Sequence, residues 1–401
     1  MNEQIKQRIA QLNNGEVPNG YEKTEFGIFP CDWVTDKRLQ DIGTFGKGKG
    51  LPGDKLTSKG VPCVGYGDIY MKYNNFHFEK AKSFVDEETA SESQPIQKGT
   101  LLFTGTGETA EEIGKCVCYN GEETIYAGGD IITFISNEVN PLFLVYQQYQ
   151  DFSLRNKASF GQGHSVVHIQ RENLEKLHVA YPKSTDEQSK IAEILMKWDE
   201  AIELEERYII ILEVRKNSIM KRLLTPQEDW RYVLLGDICQ IKTGRLDANA
   251  MDEDGIYPFF TCSKDIYRIN QYSFDCEALL IAGNGDIGDV KYYNGKFDAY
   301  QRTYVMSEFT FNIKYVMQYL RLNFDKDVMK GMQKSSMPYI KLDLLKKAKI
   351  YYKVSAIEST VVILSTVDNE IELHQLKLSE LKKQRKALQQ YLLNGIVRVE
   401  V

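Results

Sequence analysis

The sequence predicts an α+β fold in which two duplicated, mixed α/β lobes are joined by two long antiparallel coiled-coil helices with pseudo-two-fold symmetry. Three observations lead to this prediction. A glycine-rich phrase occurs twice, as GTGETAEEIGKCVCYNG at 105–121 and as GNGDIGDVKYYNG at 283–295. An Asp-Trp pair opens each copy, at 32–33 and at 229–230. A long segment closes each copy, and its predicted seam residues alternate at spacings of four and three, as in a coiled coil.

Apolar runs precede the glycine phrase in both copies, TLLF at 100–103 and ALLIA at 278–282. Together with KCVCY, IYAGGDIITFI and DVKYY, these runs are typical of short strands separated by turns. Stretches rich in large apolar residues, at 142–154 and 313–324, favour helices or helix–strand mixtures. Each lobe is therefore expected to be an α+β domain.

The glycine phrase resembles a nucleotide-binding motif without meeting its structural requirements. GNGDIG at 283–288 has the spacing G-x-G-x-x-G, but a strand-like run follows where a dinucleotide site needs a helix. We therefore interpret the phrase as a strand–turn–strand framework. The glycines predicted to form turns with positive φ at a strand end are Gly105, Gly107, Gly283 and Gly285.

The two long segments run from about Asp186 to Leu224 and from about Ala356 to Leu393, and neither contains proline or glycine. Helix-breaking residues follow each segment, at 225–226 and 394–395. The predicted seam consists of Trp198, Ile202, Glu205, Ile209, Leu212, Lys216, Ile219 and Leu223 in the first helix and Val367, Ile371, His374, Leu378, Leu381, Arg385, Leu388 and Leu392 in the second.

Polar residues interrupt this seam at matching places, Glu205 and Lys216 in the first helix and His374 and Arg385 in the second. Antiparallel pairing by simple reflection would place Glu205 opposite Arg385 and Lys216 opposite His374. Opposite charges inside an apolar seam fix its register, whereas a parallel pair would put Lys216 beside Arg385. We therefore predict an antiparallel pair on the order of 55 Å long at ~1.5 Å per residue. The alternative is that each helix packs on its own lobe.

The domain organisation follows from the repeat. The predicted bounds are 1–22 for an N-terminal segment, 23–183 for the first lobe, 184–225 for the first long helix, 226–353 for the second lobe and 354–401 for the second long helix.

Composition places the chain among ordinary globular proteins, with 42% hydrophobic and 26% charged residues in 401. No apolar run approaches the ~20 residues that span a bilayer, and the polar N-terminus lacks a signal core, so we expect a cytoplasmic protein that contacts no membrane.

Seven cysteines without a Cys-x-x-Cys pair predict free thiols and no metal site, although Cys116 and Cys118 share a strand face. The net charge of −6 argues against general coating of nucleic acid and is compatible with a local basic surface.

Motifs for catalysis are incomplete. FTGTG at 103–107 resembles the cofactor loop of adenosyl-methionine-dependent methyltransferases, and NPLF at 140–143 resembles the N-P-P-[YF] motif of amino-methyltransferases with Leu at its third position. The second lobe lacks NPLF. The histidines, at 77, 164, 168, 178 and 374, form no H-E-x-x-H motif and are interpreted as polar contacts, some near a binding edge. The sequence therefore predicts no catalytic residues, no metal and no cofactor bound by this chain.

Two unlike lobes, each followed by one long helix, resemble the specificity subunit of a type I restriction–modification system. The resemblance covers nearly the whole chain and depends on the order and duplication of its segments. The segments are GYEKTEFGIFPCDW at 20–33, ASFGQGHSVVHIQRENLEKL at 158–177, DEQSKIAEILMKWDEAIELE at 186–205, KSSMPYIKLDLLKKAKI at 334–350 and ILSTVDNEIELHQLKLSELKKQRKALQQYLLNGIVRV at 363–399.

This resemblance implies that each lobe is a target-recognition domain that reads one half of a bipartite, asymmetric sequence in double-stranded DNA. It implies that the helix pair, formed by the central and C-terminal conserved segments, sets the spacer between the half-sites. Two methyltransferase (M) subunits would dock on the chain and carry S-adenosyl-methionine, and motor–nuclease (R) subunits would cleave unmodified DNA. The chain itself would have no catalytic activity.

Candidate DNA contacts are residues that can read base edges or anchor phosphates. In the first lobe they are Lys47, Lys49, Lys55, Tyr66, Tyr70, Lys72, Gln162, His164 and Ser165. In the second lobe they are Lys242, Arg245, Lys264, Tyr267, Arg268, Arg302, Lys334, Ser335, Ser336 and Tyr339. The basic run KKQRK at 382–386 is interpreted as a solvated or partner-facing helix face.

Two other functions fit parts of the sequence. A self-contained adenine-N6 DNA methyltransferase would use FTGTG and NPLF, and the isolated chain would then bind adenosyl-methionine. A scaffold that does not bind DNA would need only the duplicated lobe and the coiled coil, and it would have no salt-sensitive DNA affinity in any assembly.

Overall fold

The computed structural model describes residues 3–73, 75–163, 166–327 and 339–399. The chain divides into two compact units. Unit 1 comprises Met1–Leu204 and Leu378–Val401, and unit 2 comprises Glu205–Lys377. The division falls inside both long helices and does not coincide with the predicted domain bounds, so those bounds stay a prediction.

Unit 1 contains the first lobe. Its helices are α1 (Glu3–Asn13), α2 (Leu39–Ile42), α3 (Tyr66–Met71), α4 (Glu87–Ser91), α5 (Pro141–Gln147), α6 (Asp151–Phe160) and α7 (Arg171–Leu174), followed by the start of α8 (Thr185–Leu224). Its strands are β1 (Tyr21–Lys23), β2 (Ile28–Pro30), β3 (Trp33–Val34), β4 (Gly43–Lys47), β5 (Val61–Val64), β6 (His77–Phe78), β7 (Ser83–Val85), β8 (Gln94–Ile96), β9 (Thr100–Thr104), β10 (Thr106–Gly107), β11 (Cys116–Tyr119), β12 (Ile125–Ala127), β13 (Ile131–Ser136), β14 (Val167–His168) and β15 (Tyr181–Pro182).

Unit 2 contains the second lobe. Its strands are β16 (Arg231–Leu234), β17 (Gln240–Thr243), β18 (Tyr257–Phe260), β19 (Ile266–Ile269), β20 (Phe274–Ala282), β21 (Val290–Ala299), β22 (Thr303–Ser307) and β23 (Lys349–Tyr352). Its helices are α9 (Leu235–Ile238), α10 (Ile313–Asp327), α11 (Leu342–Lys346) and the start of α12 (Ile357–Leu393). The long helices begin and end within one residue of their predicted bounds.

The two lobes share one strand order. The first lobe has a five-stranded sheet β4-β13-β9-β11-β6 and a four-stranded sheet β7-β5-β12-β8, and the second has a six-stranded sheet β17-β22-β20-β21-β18-β19. The order β4-β13-β9-β11 recurs in β17-β22-β20-β21, with antiparallel pairing at every step. A parallel pair also recurs, β5 with β12 and β18 with β21. The predicted duplication of a mixed α/β lobe is therefore confirmed.

The repeated glycine phrase forms the turn of an antiparallel hairpin in each lobe, between β9 and β11 and between β20 and β21. The two Ile-Gly pairs of the phrase place their glycines in the left-handed region, with φ of 68° at Gly114 and 92° at Gly288. Side chains with a Cβ rarely adopt this conformation, so glycine is needed at both turns. The predicted strand–turn–strand framework is confirmed.

The prediction of positive φ at four other glycines is only partly right. Gly285 has φ 67°, but Gly105, Gly107 and Gly283 are not among the glycines with positive φ. At these positions the reason for glycine is close approach of another part of the chain. A Cβ at Gly283 would lie 2.4 Å from the carbonyl oxygen of Arg302, a distance that real Cβ atoms do not reach.

The core of unit 1 combines the first lobe with one end of each long helix. Ile191 and Leu195 of α8 pack in the same apolar cluster as Leu392 and Leu393 of α12, together with Phe143 of α5. Burial of each such side chain stabilises the fold by about 1.5–3 kcal/mol. The start of α8 and the end of α12 are thereby held side by side, which makes the two helices antiparallel in this unit.

The core of unit 2 contains the opposite helix ends. Met220 and Leu224 of α8 and Leu364 of α12 pack with Leu279 of β20 and Leu320 of α10. Each long helix therefore supplies core residues to both units. The alternative in which each helix packs on a single lobe is wrong.

Between these ends the helices pack on each other. All sixteen predicted seam positions are buried or half-buried. In unit 2, Leu212 packs with Val367 and Ile371, whereas Ile211 and Val214 beside it are 60% and 61% exposed. The four–three spacing thus identifies the contacting faces. Among the described residues, no helix is long and apolar enough to cross a membrane.

The predicted register of this seam is wrong. Glu205 does not face Arg385: its carboxylate accepts hydrogen bonds from His374 Nδ1 at 2.5 Å and Lys377 Nζ at 2.8 Å. Burial raises the pKa of Glu205, but these two hydrogen bonds lower it overall to below its ordinary value. Lys216 does not face His374 and instead forms an ion pair with Asp368 at 2.5 Å. The helices therefore pair about one heptad away from the predicted reflection.

The correct register depends on carboxylates outside the seam. In unit 1, Arg385 donates to Asp199 through Nε at 2.8 Å and Nη2 at 3.3 Å. The Tyr146 hydroxyl donates to the same carboxylate at 2.7 Å. In unit 2, Gln318 Nε2 donates to Asp368 at 2.5 Å. Side chains of the lobes thus fix which heptads meet, because they bind Asp199 and Asp368, the carboxylates that pair with Arg385 and Lys216.

Replacing Asp199 by Ala should strongly destabilise unit 1, because it leaves the guanidinium of Arg385 and the hydroxyl of Tyr146 without their buried acceptor. Asp199 is 6% exposed, and removal of one partner of a buried pair typically costs about 3–5 kcal/mol. The measurement is the free energy of unfolding in urea. Glu193→Ala is the matched control, since Glu193 bonds Lys190 and Lys197 on an exposed face of the same helix and should change stability only slightly. Equal effects of the two variants would contradict the assignment.

Candidate nucleic-acid interface

Each lobe has a groove beside the turn of its glycine phrase. The groove of the first lobe has a volume of about 400 Å³. It is lined by Gly46, Lys47, Gly105, Thr106, Gly129, Asp130, Ile132, His168, Ile169, Gln170, Arg171 and Glu172. The groove of the second lobe has a volume of about 460 Å³ and is lined by Thr243, Gly283, Asn284, Gln301, Arg302, Tyr304, Tyr339 and Ile340.

The same backbone frame builds the groove of the first lobe and that of the second. In the first lobe, Gly105 N donates to Asp130 O at 2.8 Å and Gly105 O accepts from Ile169 N at 3.0 Å. A Cβ at Gly105 would lie 3.2 Å from Asp130 O, so a larger residue would press on this bond. The glycine therefore joins the end of β9, the start of β13 and the segment after β14.

The frame of the second lobe repeats these bonds at matching positions. Gly283 N donates to Arg302 O at 2.9 Å, and Gly283 O accepts from Ile340 N at 2.9 Å. The strand registers agree as well, because Lys47 pairs with Ile132 and Thr243 pairs with Tyr304. Matching by these bonds and registers aligns the grooves residue by residue.

Every residue that lines the groove of the second lobe has an equivalent in the groove of the first lobe. The pairs, first lobe before second, are Lys47 and Thr243, Gly105 and Gly283, Thr106 and Asn284, Gly129 and Gln301, Asp130 and Arg302, Ile132 and Tyr304, His168 and Tyr339, and Ile169 and Ile340. Only the framework glycine and the isoleucine that bonds to it are identical. The frame is therefore conserved between the lobes, while the exposed side chains differ.

The chemistry of the two grooves differs accordingly. The groove of the first lobe presents an exposed cation, Lys47, and an exposed anion, Asp130. The His168 ring, also exposed, shares a hydrogen bond with Thr106 Oγ1 at 3.2 Å. At the position of Asp130, the groove of the second lobe presents an exposed arginine, Arg302. Donors and acceptors of this kind can read base edges.

The candidate DNA contacts of the first lobe are scattered. Lys47 lines the groove. The exposed candidates outside it are Lys49, Lys55, Tyr66 and Gln162. Tyr70 and Lys72 have structural partners: the Tyr70 hydroxyl shares a hydrogen bond with Thr104 at 2.8 Å, and Lys72 is paired with the buried Asp68 at 2.8 Å. His164 and Ser165 lie outside the described residues.

The candidate DNA contacts of the second lobe that the structure describes fall into three groups. Arg302 and Tyr339 line the groove, whereas Lys242 and Arg245 line a separate cavity of about 620 Å³. Lys264, Tyr267 and Arg268 lie at or beside β19, where Arg268 donates to the carbonyls of 255 and 256. Lys334, Ser335 and Ser336 lie outside the described residues. Contact of any of these residues with DNA stays a prediction.

Asp130, Asn284 and Gln301 line the grooves but are not among the candidate contacts predicted from the sequence. Residue 130 comes directly before β13, which pairs with β9, and residue 302 comes directly before β22, which pairs with β20. In each lobe the partner strand is the first strand of the glycine hairpin. Aligning the two copies on the phrase and on this strand would have identified the pair. Composition gave no such signal, since an isolated aspartate before a strand has no specific meaning.

The methyltransferase-like motifs have local structural explanations. Phe103 of FTGTG is fully buried in β9. Asn140 of NPLF caps α5, because its side-chain oxygen accepts from Leu142 N at 2.9 Å and Phe143 N at 3.2 Å. Within the described ranges, no cluster of His, Cys, Asp or Glu could hold a metal ion. Burial raises the pKa of the Cys118 thiol to about 12.

A buried lysine supports the turn of the glycine phrase in the first lobe. Lys157 of α6 is 1% exposed, and its ammonium donates to Gly114 O at 3.0 Å. The ammonium also lies 5.3 Å from the centre of the Tyr149 ring. Burial lowers the pKa of Lys157 to about 8.

Comparison with known proteins gives one consistent family. The family model of the type I restriction modification DNA specificity domain matches residues 30–214 and 227–383. The EcoDI specificity subunit of Escherichia coli is 38% identical over 173 residues, which is 42% of this chain and 38% of that protein. The MjaVIII specificity subunit of Methanocaldococcus jannaschii is 24% identical over 76% of this chain and 80% of its own length.

Solved structures agree on the fold. The S subunit of a type I restriction–modification system from M. genitalium has a TM-score of 0.63 at 16% identity, over 96% of this chain and 99% of that one. A chain from a study of assembly and conformational transition of the type I system has a TM-score of 0.53 at 14% identity, over 95% of this chain and all of that one. At such identities the likeness concerns the fold alone.

The contribution of Lys157 to the stability of the chain should rise between pH 8 and pH 9.5. In this range the native state releases the proton of Lys157, whereas the unfolded state retains it, so a higher pH favours the native state by about 1 kcal/mol per pH unit. The measurement is the difference in unfolding free energy between the wild type and Lys157→Met across this range. Lys98→Met is the control: its hydrogen bond to Glu122 raises the pKa of Lys98, so both states stay charged. A Lys157 difference that does not change with pH would contradict the assignment.

Proposed function

The chain belongs to the type I restriction modification DNA specificity family, and we propose that it directs a methyltransferase–nuclease complex to one bipartite, asymmetric DNA sequence. Its relatives are named specificity subunits, and the chain is not itself an enzyme. We assign the reading of one half-site to each lobe.

One observation carries this proposal. The two grooves share a backbone frame and eight aligned lining positions, yet their exposed side chains differ. Two lobes with one architecture and different groove chemistry suit a DNA target with two different halves. A scaffold would have no need for polar grooves of this kind, and a self-contained methyltransferase would need one cofactor site.

We assign the spacing of the two half-sites to α8 and α12. Two features support this assignment. Each helix supplies core residues to both units. Neither helix contains a proline or glycine at which it could bend.

We assign the docking of two M subunits to exposed faces of the helices. Ile211 and Val214 of α8 and Leu373 and Leu376 of α12 are 60–65% exposed. Apolar side chains left in water on a long helix suit a protein partner. The M subunits would carry S-adenosyl-methionine, R subunits would join them, and the assembly would act on double-stranded DNA in the cytoplasm.

The proposal is tested by single-molecule sequencing of genomic DNA from the source strain, with and without this gene. We expect loss of adenine methylation at one split, asymmetric motif, and its return with a plasmid copy. An unchanged methylome in a strain that expresses the M subunit would overturn the proposal.

Insertion of one heptad into both helices, beside Glu205 and beside His374, should lengthen the spacer and leave both half-sites unchanged. Seven residues add about 10 Å of helix, which corresponds to about 3 base pairs at ~3.4 Å each. The measurement is the methylated motif in a host that lacks other adenine methylation. The matched control places the same seven residues in the exposed turn at 122–123, where the spacer should not change. A constant spacer in the helix variant would show that the helices do not set it.

A further inference from the structure

We propose that the residue directly before β13 and β22 is a base-reading position in each lobe. At this position Arg302 selects guanine in the half-site of the second lobe. Asp130 selects cytosine in the half-site of the first lobe, by accepting a hydrogen bond from the exocyclic amine. This inference rests on the proposed function and adds the base chemistry of each groove.

The position is held rigidly in both lobes. The carbonyl groups of Asp130 and Arg302 accept from Gly105 N and Gly283 N at 2.8 and 2.9 Å. The next residue of each lobe enters a strand of the central sheet, β13 or β22. Because these backbone bonds fix where the side chain starts, each side chain enters its groove from a constant position, which favours precise recognition.

Both side chains are available to a ligand. Asp130 and Arg302 are exposed at the edge of their grooves. Within the described part of the chain, the carboxylate of Asp130 and the guanidinium of Arg302 form no ion pair. Tyr70 and Lys72 differ in this respect, since they are engaged with partners inside the first lobe.

The opposite charges decide between base reading and phosphate anchoring. If this position anchored a phosphate, both lobes would need a cation there, because a carboxylate repels the DNA backbone. An aspartate facing DNA is instead typical of contact with the cytosine amine, and an arginine at the equivalent place is typical of bidentate contact with guanine. One position can therefore read either base of a G·C pair, according to the residue it holds.

The neighbouring positions change in the same way. Thr106 in the first lobe is replaced by Asn284 in the second, and His168 by Tyr339. Each of these side chains carries a hydrogen-bond donor or acceptor. Tyr304, which also lines the groove of the second lobe, has a structural role, since its hydroxyl donates to Ile340 O at 2.8 Å.

The test uses the full chain expressed with its own M subunit in a host without other adenine methylation. The variants are Arg302→Gln and Asp130→Asn, which remove one charge each at exposed positions. Single-molecule sequencing gives the methylated motif and the tolerance at every base. Arg302→Gln should relax one guanine in one half-site, and Asp130→Asn should relax one G·C pair in the other half-site. Each preference should fall on the order of ten- to a hundred-fold.

Arg231→Gln and Asp54→Asn serve as controls, because they remove exposed charges outside the grooves. They should leave every base preference intact. If the wild type methylates no split motif, the proposed function fails before this inference is tested. If it does methylate one, three results overturn the inference: unchanged preferences, an even loss across all bases, or both variants acting on the same half-site.

Discussion

Two backbone hydrogen bonds of one glycine determine the arrangement of each lobe's candidate interface. The glycine that follows β9 or β20 donates to the residue before β13 or β22 and accepts from an isoleucine about sixty residues later in the chain. No larger residue fits at Gly283, because its Cβ would meet a carbonyl at 2.4 Å. The glycine phrase that first marks the repeat in the sequence is therefore explained by tertiary structure. It holds three segments together and leaves the side chains beside them in solvent.

The long helices obey a second constraint. Their apolar spacing brings them together, but charges select the register. Arg385 and Lys216 find carboxylates at Asp199 and Asp368, and both carboxylates are also bound by side chains of the lobes. The ends of the helices complete the apolar cores of the units. Helix pairing and lobe folding are thus coupled through a few buried polar contacts.

The sequence predicted the elements better than their contacts. Helix bounds and seam faces follow from local spacing, so Thr185–Leu224 and Ile357–Leu393 were accessible. The register was not, because a four–three pattern is satisfied after any shift of seven residues and Asp199 lies outside the pattern. The same limit applies to the grooves. Lys47 and Arg302 were selected by residue type, whereas Asp130 acquires meaning only from its alignment with Arg302 across two strand registers.

The separation of frame from exposed side chains has an evolutionary consequence. Asp130, Arg302 and Lys47 are exposed and belong to neither large apolar core, so substituting them removes no core residue. Surface changes of this kind usually alter stability by less than about 0.5 kcal/mol. Selection on folding therefore acts mainly on the cores, the helix seam and the framework glycines. The exposed lining side chains are free to drift, and each lobe can acquire a new recognition chemistry without a compensating change elsewhere in the chain.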